Sequence, residues 1–135
     1  MARDTKQEKW RDIGEKAIKQ MSQLAQYSSW NFENKLLLLQ AEQSYLNGRY
    51  MIAELTYQSS ITSASDHKFI GEEAMANELF GVYLIENKKA KKGIEQLQIA
   101  HSKYIQWGAF KKASAVKELI DGFKLFMVYD SALII

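Results

Sequence analysis

His67 and His101 are the two histidines of this 135-residue chain, and cysteine is absent. A bound transition metal needs three or four nitrogen, sulfur or carboxylate ligands held together. Neither histidine has a second histidine at ligand spacing, so the expectation is no metal. Glu72, Glu73 and Glu78 supply carboxylates that general acid–base chemistry would use in pairs. Adjacent residues on a helix point to different faces, which favours capping and solvation over catalysis. The run NKKAKKG, Asn87 to Gly93, touches phosphate if Lys111 and Lys112 gather beside it, and is otherwise a solvated turn. Asn77 reads as a buried amide satisfying backbone groups between helices. Trp107, beside Gly108, reads as a plug for a helix junction. The residue types therefore predict no catalytic residue, no cofactor and no small-molecule substrate.

Composition bounds what must position these side chains. A chain of this length suits one domain. Its 47% hydrophobic and 25% charged residues are close to the globular average, which argues against disorder and fibrous repeats. Eighteen basic and sixteen acidic residues leave a net charge of +2, far from the basic field that nucleic-acid binding needs. The absence of cysteine fits a reducing compartment. The opening MARDTKQEKW has no apolar run of a signal peptide, and the leucine run Leu36 to Leu39 is too short to span a bilayer. These features predict a soluble protein of the cytoplasm or another reducing intracellular compartment, with no membrane span.

Proline is absent and glycine occurs only seven times, which disfavours strand-and-turn folds and favours helices. Apolar residues at spacings of three and four predict a first helix from Glu8 to about Tyr27, with Trp10, Ile13, Ala17, Met21 and Leu24 on one face. Asn31 is suited to cap a second helix that carries Phe32, Leu36, Leu39 and Leu46 and ends at Gly48. A third runs from Tyr50 to about Ala64 through Ile52, Ala53, Leu55, Tyr57 and Ile61, weakened by its serine and threonine content. SASDHK then reads as a connector. A fourth covers roughly Ile70 to Asn87, with Asn87 suited to a left-handed exit. A fifth uses Ala90, Ile94, Leu97, Ala100, Tyr104 and Ile105 and stops at Gly108. A sixth carries Phe110, Ala113, Val116, Ile120 and Phe123 before the helical pattern fades at Phe126.

A glycine between two amphipathic helices, followed by small residues on the second, marks a helical hairpin in a repeat array. In tetratricopeptide repeats, of about 34 residues, a small residue, a turn glycine, and then alanine and aromatic positions recur in order. Ala41, Gly48, Ala53, Tyr57 and Ser60 match those roles. A shift of forty residues gives Gly81, Lys88, Gly93, Leu97 and Ala100, which keeps the small and apolar positions and loses the turn glycine. Gly108, Phe110 and Ala113 repeat part of the pattern again. The expected fold is all-α: antiparallel helical hairpins stacked as a short tetratricopeptide-like array of about six helices, a helical-repeat domain over residues 1–125 followed by an apolar tail over 126–135.

The strings NFENKLLLLQAE (Asn31 to Glu42), GEEAMANELFGVYL (Gly71 to Leu84) and KYIQWGAFKKA (Lys103 to Ala113) carry a more specific likeness. The chain resembles, over about Gln20 to Leu119, the helical-repeat segment of large multidomain signalling kinases. In that family the segment follows a regulatory ATPase module and precedes GAF and histidine-kinase or cyclase modules. The resemblance implies an interaction or coupling segment and brings no catalytic residue, since the phosphate-binding loop, the kinase catalytic loop and the phospho-accepting histidine box lie outside it.

The tail KLFMVYDSALII crowds Phe126, Met127, Val128, Tyr129, Leu133, Ile134 and Ile135 into one stretch, too apolar to stay uncovered. Either it folds back on its own domain or it docks on a neighbour, and these seven residues are the candidate partner contact. Two functions fit. One is a non-catalytic interaction module or signalling scaffold that holds a protein partner of unknown identity. The other is a structural subunit permanently bound in a larger assembly.

Overall fold

A computed structural model describes the backbone of residues 5–134 and the side chains of residues 7–26 and 28–129. The described residues form six helices and no strand, so the chain is all-α. Contacts gather it into two compact units that divide between Lys68 and Phe69. In the first, α2 (Ser29–Leu46) packs against both α1 (Thr5–Tyr27) and α3 (Tyr50–Asp66). In the second, α5 (Ala90–Trp107) packs against both α4 (Ile70–Glu86) and α6 (Phe110–Ile134).

Four of the five turns follow one rule, the exception being the α1–α2 junction, where Ser28 has φ of −152°. Left-handed backbone occurs at Gly48, Lys68, Lys88 and Gly108, each twenty positions after the last, with φ of 78°, 61°, 66° and 91°. A new helix starts two residues after each of them. Arg49 N–H donates to the Ser44 carbonyl, Lys89 N–H to Leu84 and Ala109 N–H to Tyr104, each at 2.8 Å. These are the six-to-one bonds of a Schellman ending, which satisfy carbonyls that the helix leaves open. The turn therefore survives the loss of glycine at Lys88, at the cost of strain that a Cβ adds to left-handed backbone. Asn87, expected to make that exit, keeps φ at −104° and instead donates from Nδ2 to the Tyr83 carbonyl at 2.8 Å.

Several boundaries differ from expectation. Ser28 occupies the position before α2, while Asn31 lies within its first turn and donates from Nδ2 to Ser28 Oγ at 3.0 Å. α3 continues through Asp66, which shortens the connector expected over SASDHK to three residues. α6 does not stop near Phe126. It runs to Ile134, because no glycine or proline follows Gly122 to break it and apolar residues on every side hide a single stripe without opposing a helix. On α1 the partly covered positions are Glu8, Arg11, Gly14, Ala17, Ile18, Met21, Ser22 and Ala25, which include Ala17 and Met21 of the expected stripe, while Trp10, Ile13 and Leu24 are exposed. That helix is apolar over a wide arc and only α2 covers it, so part of the arc stays open. Ile52, Leu55, Ile105 and Phe110 likewise face outward.

Both units cross at small residues. A Cβ on Gly81 would stand 2.8 Å from the Gly93 carbonyl oxygen and 2.9 Å from Leu97 Cγ. A Cβ on Gly93 would stand 2.5 Å from Ile85 Cγ1 and 2.6 Å from the Gly81 carbonyl oxygen. The backbones of α4 and α5 thus touch where neither residue has a side chain. Forty positions earlier the same places hold Ala41 and Ala53, both fully buried. Around the second crossing Ile94, Leu97, Ala100 and Tyr104 of α5 meet Ala113, Val116 and Ile120 of α6 in one apolar cluster, with Leu119 and Phe123 packed at its edge.

Gly81→Ala and Gly93→Ala should each destabilise the chain, as should Ala53→Leu and Ala113→Leu, by about 1 to 3 kcal/mol for overpacking. Gly14 and Gly122 meet nothing within 4 Å, so alanine there should stabilise by about 1 kcal/mol through helix propensity alone. Urea midpoints read both signs, and a rise for Gly81→Ala or Gly93→Ala would contradict the crossing.

Candidate functional site

The polar residues that suggested chemistry are used to join helices. Glu73 pairs with Lys103 at 2.8 Å. Glu78 accepts a hydrogen bond from the Tyr104 hydroxyl at 2.8 Å, and Lys112 approaches it at 3.6 Å while lying 5.5 Å from the Tyr104 ring centre. Asn77, buried, donates from Nδ2 to Gln96 Oε1 at 2.9 Å. It thus pairs with a side chain of α5 where backbone partners were expected. In the first unit Tyr57 donates to Glu42 at 2.5 Å and Ser60 Oγ to the Asn34 carbonyl at 3.0 Å. Trp107 lays its ring over Gly71, leaving 2.8 Å to an added Cβ, so it covers a helix start while staying more than half exposed.

The lysine clusters do not gather. Lys88 and Lys111 belong to turns at opposite ends of α5, separated by roughly 27 Å at 1.5 Å per residue. His67 packs against Trp30 with ring centres 4.1 Å apart and planes tilted by 37°. Among the described residues no group of three His, Cys, Asp or Glu side chains is placed to hold a metal ion, and no helix is long and apolar enough to cross a membrane.

Two surfaces among the described residues combine exposure with a groove. The first is the end of α6, where Leu125, Phe126, Val128 and Tyr129 are 72%, 63%, 69% and 63% exposed and Met127 is 36% exposed. The tail continues α6 alongside the beginning of α5, where Met127 and Val128 border a groove of about 550 Å³ with Lys91 and Ile94. The side chains of Leu133 and Ile134, and all of Ile135, lie outside the described residues.

The second surface was not anticipated. A groove of about 550 Å³ on α2 and α3 is lined by Glu33, Leu37, Leu55, Ser59, Thr62, Ser63, Asp66 and neighbours. The one signal of it in the sequence is the serine and threonine content of α3, which reads as weak helix propensity and proves to be the lining of a polar channel.

No protein-family model, curated protein or solved structure matches the chain.

Burial first, then the hydrogen bond and negative charge of Glu78, pushes the Tyr104 hydroxyl well above the ordinary value of 10. The folded pKa is the raised one, so its stabilisation is complete below pH 10 and is lost as pH climbs through the folded value. The urea midpoint should fall more steeply above pH 10 in the parent chain than in Tyr104→Phe. Equal slopes would show that the phenol ionises alike in folded and unfolded chains.

Proposed function

We propose that this chain is a non-catalytic protein–protein interaction or coupling module, related to the tetratricopeptide-like helical segment of multidomain signalling kinases and working in the cytoplasm or another reducing compartment. The observation that carries the reading is the end of α6, where four large apolar side chains stand mostly in water on a helix that the unit itself leaves uncovered. Covering them releases about 25 cal/mol per Å² of apolar area, before ordering costs. The polar side chains inside the units support the same reading, since Glu73, Glu78, Asn77 and Tyr104 are engaged in joining α4 to α5 and α6.

A permanent structural subunit is the second reading. It is favoured by further exposed apolar residues in the first unit, among them Trp30, Met51 and Leu55, because obligate interfaces are larger and more apolar than transient ones.

Phe126→Asp and Val128→Asp together should leave the melting temperature within a degree or two while removing the partner recovered from the native source with the parent chain. Full recovery with the double variant would contradict the reading, and a chain that is insoluble without its partner would favour the subunit. ATP should leave the melting temperature unmoved, because a ligand of the native state alone must raise it. A concentration-dependent rise would overturn the non-catalytic assignment.

A further inference from the structure

The groove on the first unit has a chemical polarity. α2 and α3 run antiparallel, which the Ser60–Asn34 hydrogen bond and the Trp30–His67 ring contact record at matching levels. Glu33, Ser63 and Asp66 therefore lie at one end of the groove, and Leu37 and Leu55 line the rest. Ser59 Oγ donates to the Leu55 carbonyl at 3.1 Å and Thr62 Oγ1 to the Gln58 carbonyl at 3.0 Å. Their protons are spent on their own helix, so what they offer outward is lone pairs. Glu33 and Asp66 are exposed carboxylates, His67 borders the same end, and no lysine or arginine lines the groove. Ser63, 8% exposed, borders the same groove and its Oγ has no hydrogen-bond partner. A buried polar atom of this kind calls for a partner from outside.

We propose that the α2–α3 groove receives an arginine side chain of a protein partner, its aliphatic stem along Leu37 and Leu55 and its guanidinium at the Glu33–Asp66 end. Several acceptors spread over two helices suit a planar group with five donors better than an ammonium with three. Apolar walls suit the stem of a side chain whose charged head stays at the wet end. This inference rests on the interaction reading and names the chemistry of one contact.

The test is an amide-resolved NMR titration of the full chain with acetyl-arginine amide, against acetyl-citrulline amide, which keeps the shape and removes the charge. The expected result is saturable shifts clustered at Glu33, Ser59, Thr62, Ser63 and Asp66, with citrulline weaker by about tenfold or more, as loss of a charge-assisted contact implies. Glu33→Gln with Asp66→Asn should weaken arginine to the same degree while the rest of the spectrum stays put. Equal responses to arginine and citrulline would overturn the proposal without any variant, and shifts scattered over the surface would do so too. A partner recovered equally by the parent chain and by the Glu33→Gln, Asp66→Asn chain would overturn this inference and leave the interaction module standing, whereas no partner for either chain is the failure of the broader reading.

Discussion

The closest approach in the second unit is between the backbones of α4 and α5 at Gly81 and Gly93. Each residue's carbonyl oxygen lies within 3 Å of where the other's Cβ would be. Helices at that separation leave no room for large side chains at the crossing, so the bulk moves outward to Ile85, Leu97 and Tyr104. Glycine inside a helix costs about 1 kcal/mol relative to alanine. Here the close approach brings buried Leu97 and the Asn77–Gln96 and Tyr104–Glu78 pairs into reach across the helices. In the first unit Ala41 and Ala53 hold the corresponding places, and Tyr57 and Ser60 make the cross-helix hydrogen bonds.

That geometry also decides which residues face outward. With the small and aromatic positions turned inward, α3 presents its hydroxyl-bearing face outward beside Leu55, and α6 extends beyond its core cluster carrying Leu125, Phe126 and Val128. One surface is apolar and the other rich in acceptors. Under the proposed interaction reading the difference is useful, because apolar contact supplies affinity while charge and hydrogen-bond geometry choose the partner.

Much of this architecture was legible from spacing alone. The forty-residue shift aligns Ala41 with Gly81, Ala53 with Gly93 and Ser60 with Ala100, and all six are buried. Helix starts at Tyr50, Ile70, Ala90 and Phe110 follow from the same period. What spacing missed has physical causes. Lys88 adopts left-handed backbone because the Schellman hydrogen bonds on either side of it outweigh a strain of about 1 to 2 kcal/mol. The α1 stripe is covered at Ala17 and Met21 but open at Trp10, Ile13 and Leu24, because its apolar residues spread over more arc than one neighbour covers. The end of α6 looked non-helical because periodicity detects a helix only through the contrast between its faces, and the stretch from Leu125 to Tyr129 has none. The acceptor groove was invisible because its chemistry depends on which way the Ser59 and Thr62 hydroxyls donate, which spacing does not encode.

Native-state amide hydrogen exchange, resolved by residue, tests most directly whether the small-residue crossings hold each unit together. The slowest-exchanging amides should flank them, in the segments 78–84 and 94–100 of the second unit and 38–44 and 54–60 of the first, because those hydrogen bonds open only with the unit. Slowest exchange in the outer helices α1 or α6, with the crossings opening first, would contradict the account.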